Sequence, residues 1–272
     1  MAIHHFTCLL GLVQHAATHT AQKHFTEMED NTKDFIVMMR VKVQERNPNN
    51  ILNMDQMPIP FSYHDKCTWE EKGVKMVHTQ SSNSETKRAT LAATVTMSDE
   101  VLPPLLIFKG EKNGRIEKKE LPNLPPMCLY AVQKKAWMDE SMMLLWIEQC
   151  LSPWKATLPP HTVPLLILDS FCVHMMGSIV EDIQALGVEV QYIPGGCTYL
   201  CQPIDVGVNR PIKHAMAEQW EDWIDSKGVQ NHNVMATSPH ELIATWVVKA
   251  YWTLKTETCK KAWTKKGFEW TV

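Results

Sequence analysis

The chain predicts an α/β fold, a mixed β-sheet flanked by helices with a helical C-terminal part, on three observations. Segments rich in β-branched and apolar residues occupy much of the stretch from residue 51 to residue 109. Two apolar runs, Pro164–Leu168 and Val188–Ile193, bracket a helical segment, which is the pattern of a right-handed parallel crossover. Beyond residue 203 the apolar residues recur at helical spacing.

The elements follow in chain order. His4, His5, His15, His19 and His24 repeat at no ligand spacing, so residues 1–28 predict an irregular lead-in. Asn31 or Thr32 can cap a helix near 31–46, in which Phe35, Ile36, Met39 and Val43 share a face and NPNN ends the run. Lys33, Arg40, Lys42 and Arg46 predict its solvated face. Ile51–Met54 predicts a brief buried strand that ends in Asp55, with Pro58 and Pro60 as breakers. Val74–Gln80, Arg88–Met97 and Val101–Lys109, the last after a turn at Ser98-Asp99-Glu100, predict an antiparallel meander.

Lys109–Pro126 mixes both charge signs and predicts a solvated loop, and Leu129–Val132 a short strand. Asp139 can cap a helix whose core face is Met142, Met143, Leu145, Trp146 and Ile147. Pro164–Leu168 is continuous, as in a strand covered on both faces. A helix over Met175–Ala185 stops at Gly187, and the next strand runs into Pro194-Gly195-Gly196. Helices are expected at about 203–226, 238–255 and 257–266, with Trp220, Trp223, Trp246 and Trp252 buried against the sheet.

Composition narrows the function classes. Apolar residues at 44% and charged residues at 21% are those of a globular chain. The net charge of −3 argues against a freestanding nucleic-acid binder with a basic excess, although Lys249, Lys255, Lys260, Lys261, Lys265 and Lys266 crowd the C-terminus. The eight cysteines form no C-x-x-C pair, so free thiols in a reducing compartment are expected. Phe6–Val13 is too short to span a bilayer and lacks a basic flank, so an intracellular protein without a membrane partner is expected. Neither G-x-S-x-G nor an equivalent Cys motif is present, which leaves an α/β-hydrolase without its nucleophile.

The chemistry gathers on carboxylates. Asp169 ends an apolar strand, where ligands of open α/β sheets collect. Asp205 follows Gln202-Pro203-Ile204 in what reads as a first helical turn, where the dipole favours its charge. Residues 170–204, 35 in number, separate the two. Asp55, after its own short strand, is the third. A phosphodiester repels nucleophiles and has a poor leaving group. Two divalent ions roughly 3.5–4 Å apart meet both difficulties, and Mg²⁺ and Mn²⁺ prefer such oxygen ligands. Asn209 and Lys213, at i+4 and i+8 from Asp205, are placed to share its face and touch phosphate or water.

The segments ILNMDQMPI, EEKGVKMV, KRATLAATVTMSDEVLPPLLIFKG, LLILDSFCVH and VEVQYIPGGCTYLCQPIDVGVNRPIKHAM, with Ala136-Trp137-Met138 between them, resemble the DDE superfamily endonuclease domain of pogo/Tigger-type transposases. The likeness runs from about Asn50 to about Trp263 and includes the 35-residue gap. It implies a ribonuclease H-like fold over residues 49–272, with 1–48 as a lead-in. It also implies a catalytic and metal-binding triad of Asp55, Asp169 and Asp205 holding two Mg²⁺ or Mn²⁺ ions, DNA as the partner, cleavage and strand transfer as the chemistry, and the nucleus as the place. His174, five after Asp169, matches a family position that would contact substrate, and Gln202 and Pro203 shape the loop that aims Asp205.

Departures accompany the likeness. Cys172 and Val173 replace the more usual basic or small residues before the histidine. Relatives carry helix-turn-helix units ahead of the catalytic domain, and only about 50 residues precede Asp55 here, so target recognition is expected to be missing. Two readings therefore stand side by side: a metal-dependent DNA endonuclease core, and a domesticated, non-catalytic module that binds DNA, chromatin or other proteins. Self-association as a homo-oligomer is compatible with either.

Overall fold

The structure is a computed structural model and describes residues 25–63, 87–98, 100–226, 239–265 and 268. Strands β1 (Ile51–Pro60), β2 (Arg88–Thr96) and β3 (Leu105–Lys109) form an antiparallel meander in which β2 and β3 are the expected strands and β1 is the third. β4 (Leu129–Gln133) lies parallel to β3, β5 (Leu165–Asp169) parallel to β1, and β6 (Glu189–Ile193) parallel to β5. The sheet order is β4-β3-β2-β1-β5-β6. Only β2 runs against the rest, so the C-terminal ends of the other five strands share one edge. The predicted strand at Val74–Gln80 and the His-rich segment 1–24 lie outside the described residues.

The helices are α1 (Phe25–Gln44), α2 (Glu140–Trp146), α3 (Ser152–Thr157), α4 (Gly177–Ala185), α5 (Thr198–Cys201), α6 (Pro203–Gly207), α7 (Asn209–Ser226), α8 (His240–Trp252) and α9 (Thr256–Lys265). Asp139 caps α2 by accepting a bond from the Met142 N–H, and Gly187 ends the α4 segment with φ +71°, a conformation a Cβ disfavours. The expected single helix over 203–226 is interrupted at Val208. Pro211 has no N–H to return to the Gly207 carbonyl four residues earlier, so the ladder loses a rung there. The stretch Lys109–Pro126 is not simply a loop: it contains a wide turn at Ile116–Glu120 and a 3-10 turn at Leu121–Asn123. Ile116, Leu121 and Leu124 pull it onto the core.

Strand alternation sorts the core into two faces. Met57 and Ile59 of β1 face one layer, made of Ile212, Met216, Trp220 and Ile224 from α7 with Ile243, Trp246 and Val247 from α8. Leu52 and Met54 face the other, made of Met143 and Trp146 from α2 with Ile179 and Ile183 from α4. Trp220 and Trp246 are buried as expected. Trp146 donates to Thr94 Oγ1, and the Tyr251 hydroxyl donates to Thr94 O, so these aromatics are buried with their polar atoms paired.

α1 is built into this body. Phe35, Met39 and Val43 pack on Ile51, Leu165, Ile167 and Ile193. Two of its expected solvated charges are drawn in as well: Lys42 and Arg46 both pair with Glu189 on β6. The lysine first, and then the arginine, hold that carboxyl below its usual range.

Candidate functional site

β1 carries the centre of the site, and its sequence misleads about where the strand stops. Asp55 lies mid-strand, opposite Ala93 of β2, and not at a strand end. Pro58 and Pro60 do not break the strand because they lack an N–H where none is needed. Phe61 donates to the Lys87 carbonyl and Ile51 accepts from Met97, so odd residues of β1 turn their polar backbone atoms to β2 and even residues turn theirs away. On that second side β5 pairs only with Ile51–Asn53, so nothing is lost at 58 and 60.

The same alternation puts Asn53, Asp55 and Asp169 on one face. Ile51, Leu165 and Ile167 mark that face on β1 and β5, and Leu52, Met54, Leu166 and Leu168 mark the opposite one. Asn53 is fully buried and donates to Ile167 O (3.0 Å) while accepting from the Ile204 N–H (3.1 Å). One amide thus ties β1 to β5 and to the first turn of α6, which holds Asp205 as its acidic first-turn residue.

Asn209, at the start of α7, completes the cluster. Its Nδ2 donates to Asp205 Oδ1 (2.9 Å) and to Asp55 Oδ2 (3.3 Å), while its own Oδ1 is buried without a partner. Burial first, then the charges of Asp205 and Asp169, push the Asp55 carboxyl up from its ordinary 3.8 to about 8. Three carboxylates from a strand, a strand end and a helix start therefore share one electrostatic neighbourhood. Among the described residues no three His, Cys, Asp or Glu side chains are placed to hold a single metal ion.

Asp169 is oriented from behind. His174 is fully buried, and its Nδ1 lies 2.7 Å from Asp169 Oδ1, which also accepts from the Phe171 N–H (3.3 Å). The other ring nitrogen, Nε2, lies 2.9 Å from Gln56 Nε2. With the Gln56 amide donating, Nε2 accepts and the Nδ1 proton points at Asp169. The expected substrate-contact role of His174 does not fit its burial, since both ring nitrogens are already occupied. Lys213 is exposed one turn beyond Asn209 and forms no hydrogen bond or ion pair with the carboxylates. Sequence reasoning misses Gln56 and Asn53. The signal that could have found them is a polar residue on each side of Asp55 in an otherwise apolar strand.

Residues 86–263 match the family model for the DDE superfamily endonuclease, well over half of the chain. The chain belongs to that family. The human pogo transposable element with KRAB domain is 24% identical over 216 residues, covering 78% of this chain and 34% of that protein. Its mouse counterpart is 23% identical over the same length. The chain thus spans about a third of the length of these curated relatives. Among solved structures, the Mos1 strand transfer complex matches with a TM-score of 0.63 at 15% identity, over 98% of this chain and 66% of that one. The Mos1 mariner paired end complex with Mn matches with a TM-score of 0.54 at 15% identity, over 99% and 71%. The fold is ribonuclease H-like, a mixed six-stranded sheet with flanking helices.

In this DDE domain the helix that carries Asp205 is held against α9 by a glycine. A Cβ on Gly207 would lie 2.2 Å from Ala262 Cβ and 3.0 Å from the Thr258 carbonyl oxygen. Gly207→Ala is expected to force α9 away from α6 and to cost about 1–3 kcal/mol. A thermal melt checks it, and an unchanged midpoint would contradict the close packing.

Proposed function

We propose that the chain is the catalytic core of a transposase-type DNA endonuclease, in which Asp55, Asp169 and Asp205 hold divalent ions for phosphodiester cleavage and strand transfer. The observation that carries this reading is the Asn209 amide joined to both Asp55 and Asp205, with Asp169 near enough to raise the Asp55 carboxyl further. Carboxylates gathered in this way repel one another, and a hard cation is the partner that relieves the repulsion.

The donor set fits Mg²⁺ or Mn²⁺. It is all oxygen, Oδ2 of Asp169 and of Asp205 has no hydrogen-bond partner among the described residues, and Asn209 Oδ1 is buried and unpaired. Bound there, such ions would lower the pKa of an attacking water or hydroxyl and stabilise the departing oxygen.

The remaining residues position. His174, backed by Gln56, fixes the rotamer of Asp169 so that Oδ2 faces outward from the bond it makes. Asn209 orders two carboxylates with one amide, and Asn53 sets the helix start that delivers Asp205. Mos1 complexes with Mn and with Mg support the choice of ion by fold likeness.

Mn²⁺-dependent nicking of supercoiled plasmid is the test. Asp169→Asn and Asp205→Asn are each expected to lower the rate by at least about a hundredfold, the scale of several kcal/mol of charge stabilisation. Calorimetry showing no Mg²⁺ or Mn²⁺ binding at millimolar concentration would sink the reading.

A further inference from the structure

A groove of about 510 Å³ runs between α7 and α9, on the flank of the helices that carry Asp205 and Asn209. Its charged lining is entirely cationic, Arg210 from α7 with Lys261 and Lys265 from α9, and His214 of α7 lies beside them. The contact of Gly207 with Ala262 closes one side of it. Arg210 directly follows Asn209, so the groove begins beside the carboxylate cluster. We propose that this groove is a track for the phosphodiester backbone of DNA, gripping the duplex next to the bond presented to the three aspartates. It rests on the nuclease reading above.

Three further observations favour an anionic occupant. Arg210 and Lys265 have no ion-pair partner among the described residues. Lys261 pairs with Glu257 at 3.2 Å and His214 with Glu218 at 3.5 Å, but all four side chains are more than 60% exposed, so these pairs are weak and a phosphate displaces them readily. The charges of α7 also run against its own dipole. Arg210, Lys213 and His214 sit near its N-terminus and Glu221, Asp222 and Asp225 near its C-terminus, with no acid in the first turn and no base in the last. Helix stability disfavours that order, whereas a phosphate beside the N-terminal half suits it.

The C-terminal half of the same helix is the internal contrast. A second groove, about 550 Å³, is lined by Glu218, Glu221 and Asp222 with Lys249 as its lone cation. The overall charge of −3 thus conceals a separation of sign along one helix. The crowding of C-terminal lysines finds its place here, since two of them line the cationic side.

The test measures binding of the 272-residue chain to a fluorescent DNA duplex in EDTA, where cleavage plays no part. Combining Arg210→Gln, Lys261→Gln and Lys265→Gln is expected to weaken binding at least tenfold. The slope of log affinity against log salt should become shallower by about two to three, since each phosphate contact on B-form DNA contributes about 0.9. Lys249→Gln is expected to leave the slope unchanged. An unchanged slope in the triple variant, or an equal loss per charge at Lys249, overturns the proposal. In the unsubstituted chain, where folding is not in question, DNA is expected to protect Lys261 and Lys265 but not Lys249 from acetylation, and absence of protection also overturns it. Failure of nicking with groove binding intact would sink the nuclease reading alone. Nicking with no groove binding would sink the groove alone.

Discussion

Asp55→Asn is expected to make the metal-free protein more stable while removing its response to divalent ions. The Asp55 carboxyl is buried beside two like charges, and its pKa rises to about 8 from 3.8. Between those values the unfolded chain has lost the proton that the folded chain keeps. Folded stability therefore falls as pH rises from about 4 to about 8 and levels off above. Asparagine keeps the shape and carries no charge to bury. Near neutral pH in EDTA the gain should be on the order of 2–3 kcal/mol, or about 5–10 °C in melting temperature for a domain of this size. Mg²⁺ should raise the midpoint of the parent protein and not that of the variant. Melts from pH 5 to 8 check both points, and a variant that melts at or below the parent in EDTA would contradict the frustrated cluster. Stability given up at a functional site in this way is the usual trade.

Asn53→Leu is expected to be the most damaging single change away from the carboxylates. Leucine fills the volume but can neither donate to Ile167 O nor accept from the Ile204 N–H. The Ile204 N–H would be left buried and unpaired, at about 1–3 kcal/mol, while Ile167 O would keep its ladder bond from β1 and lose only its second donor. The total, about 2–3 kcal/mol, should appear as a fall in urea midpoint without a change in slope. The folded fraction should also nick DNA poorly, because the α6 start that aims Asp205 would lose its tie to β1. A cost below about 1 kcal/mol would show that the amide does not hold these elements together.

Much of the fold was legible because its signals are local. The apolar run at 165–168, the turn at Gly187 and the cap at Asp139 are each decided by a few neighbouring residues, and each appears where the sequence predicts. Asp169 at a strand end and Asp205 in a first helical turn were readable for the same reason. Two local signals failed. Pro58 and Pro60 read as breakers, but whether a proline breaks a strand depends on which neighbour its missing N–H would have met. Lys213 at i+8 presumed an unbroken helix, which Pro211 and the turn at Val208 deny. α1 read as part of a lead-in because nothing in its own residues says that Phe35, Met39 and Val43 cover Ile51 and Ile167.

By itself, then, the sequence determined the strands, the helices and the type of residue available for chemistry, because periodicity and capping act within a turn or two. The resemblance named Asp55, Asp169 and Asp205 together, but only the tertiary structure decided that Asp55 is buried within reach of the other two charges, that Asn209 joins Asp55 to Asp205 and that His174 stands behind Asp169. Those relations depend on the register of β1 against β2 and β5 and on the seating of α6 over that face. The register of β1 on β5 joins residues 114 positions apart, such as Ile51 and Leu165, and a slip of one residue would turn Asp55 to the opposite face of the sheet.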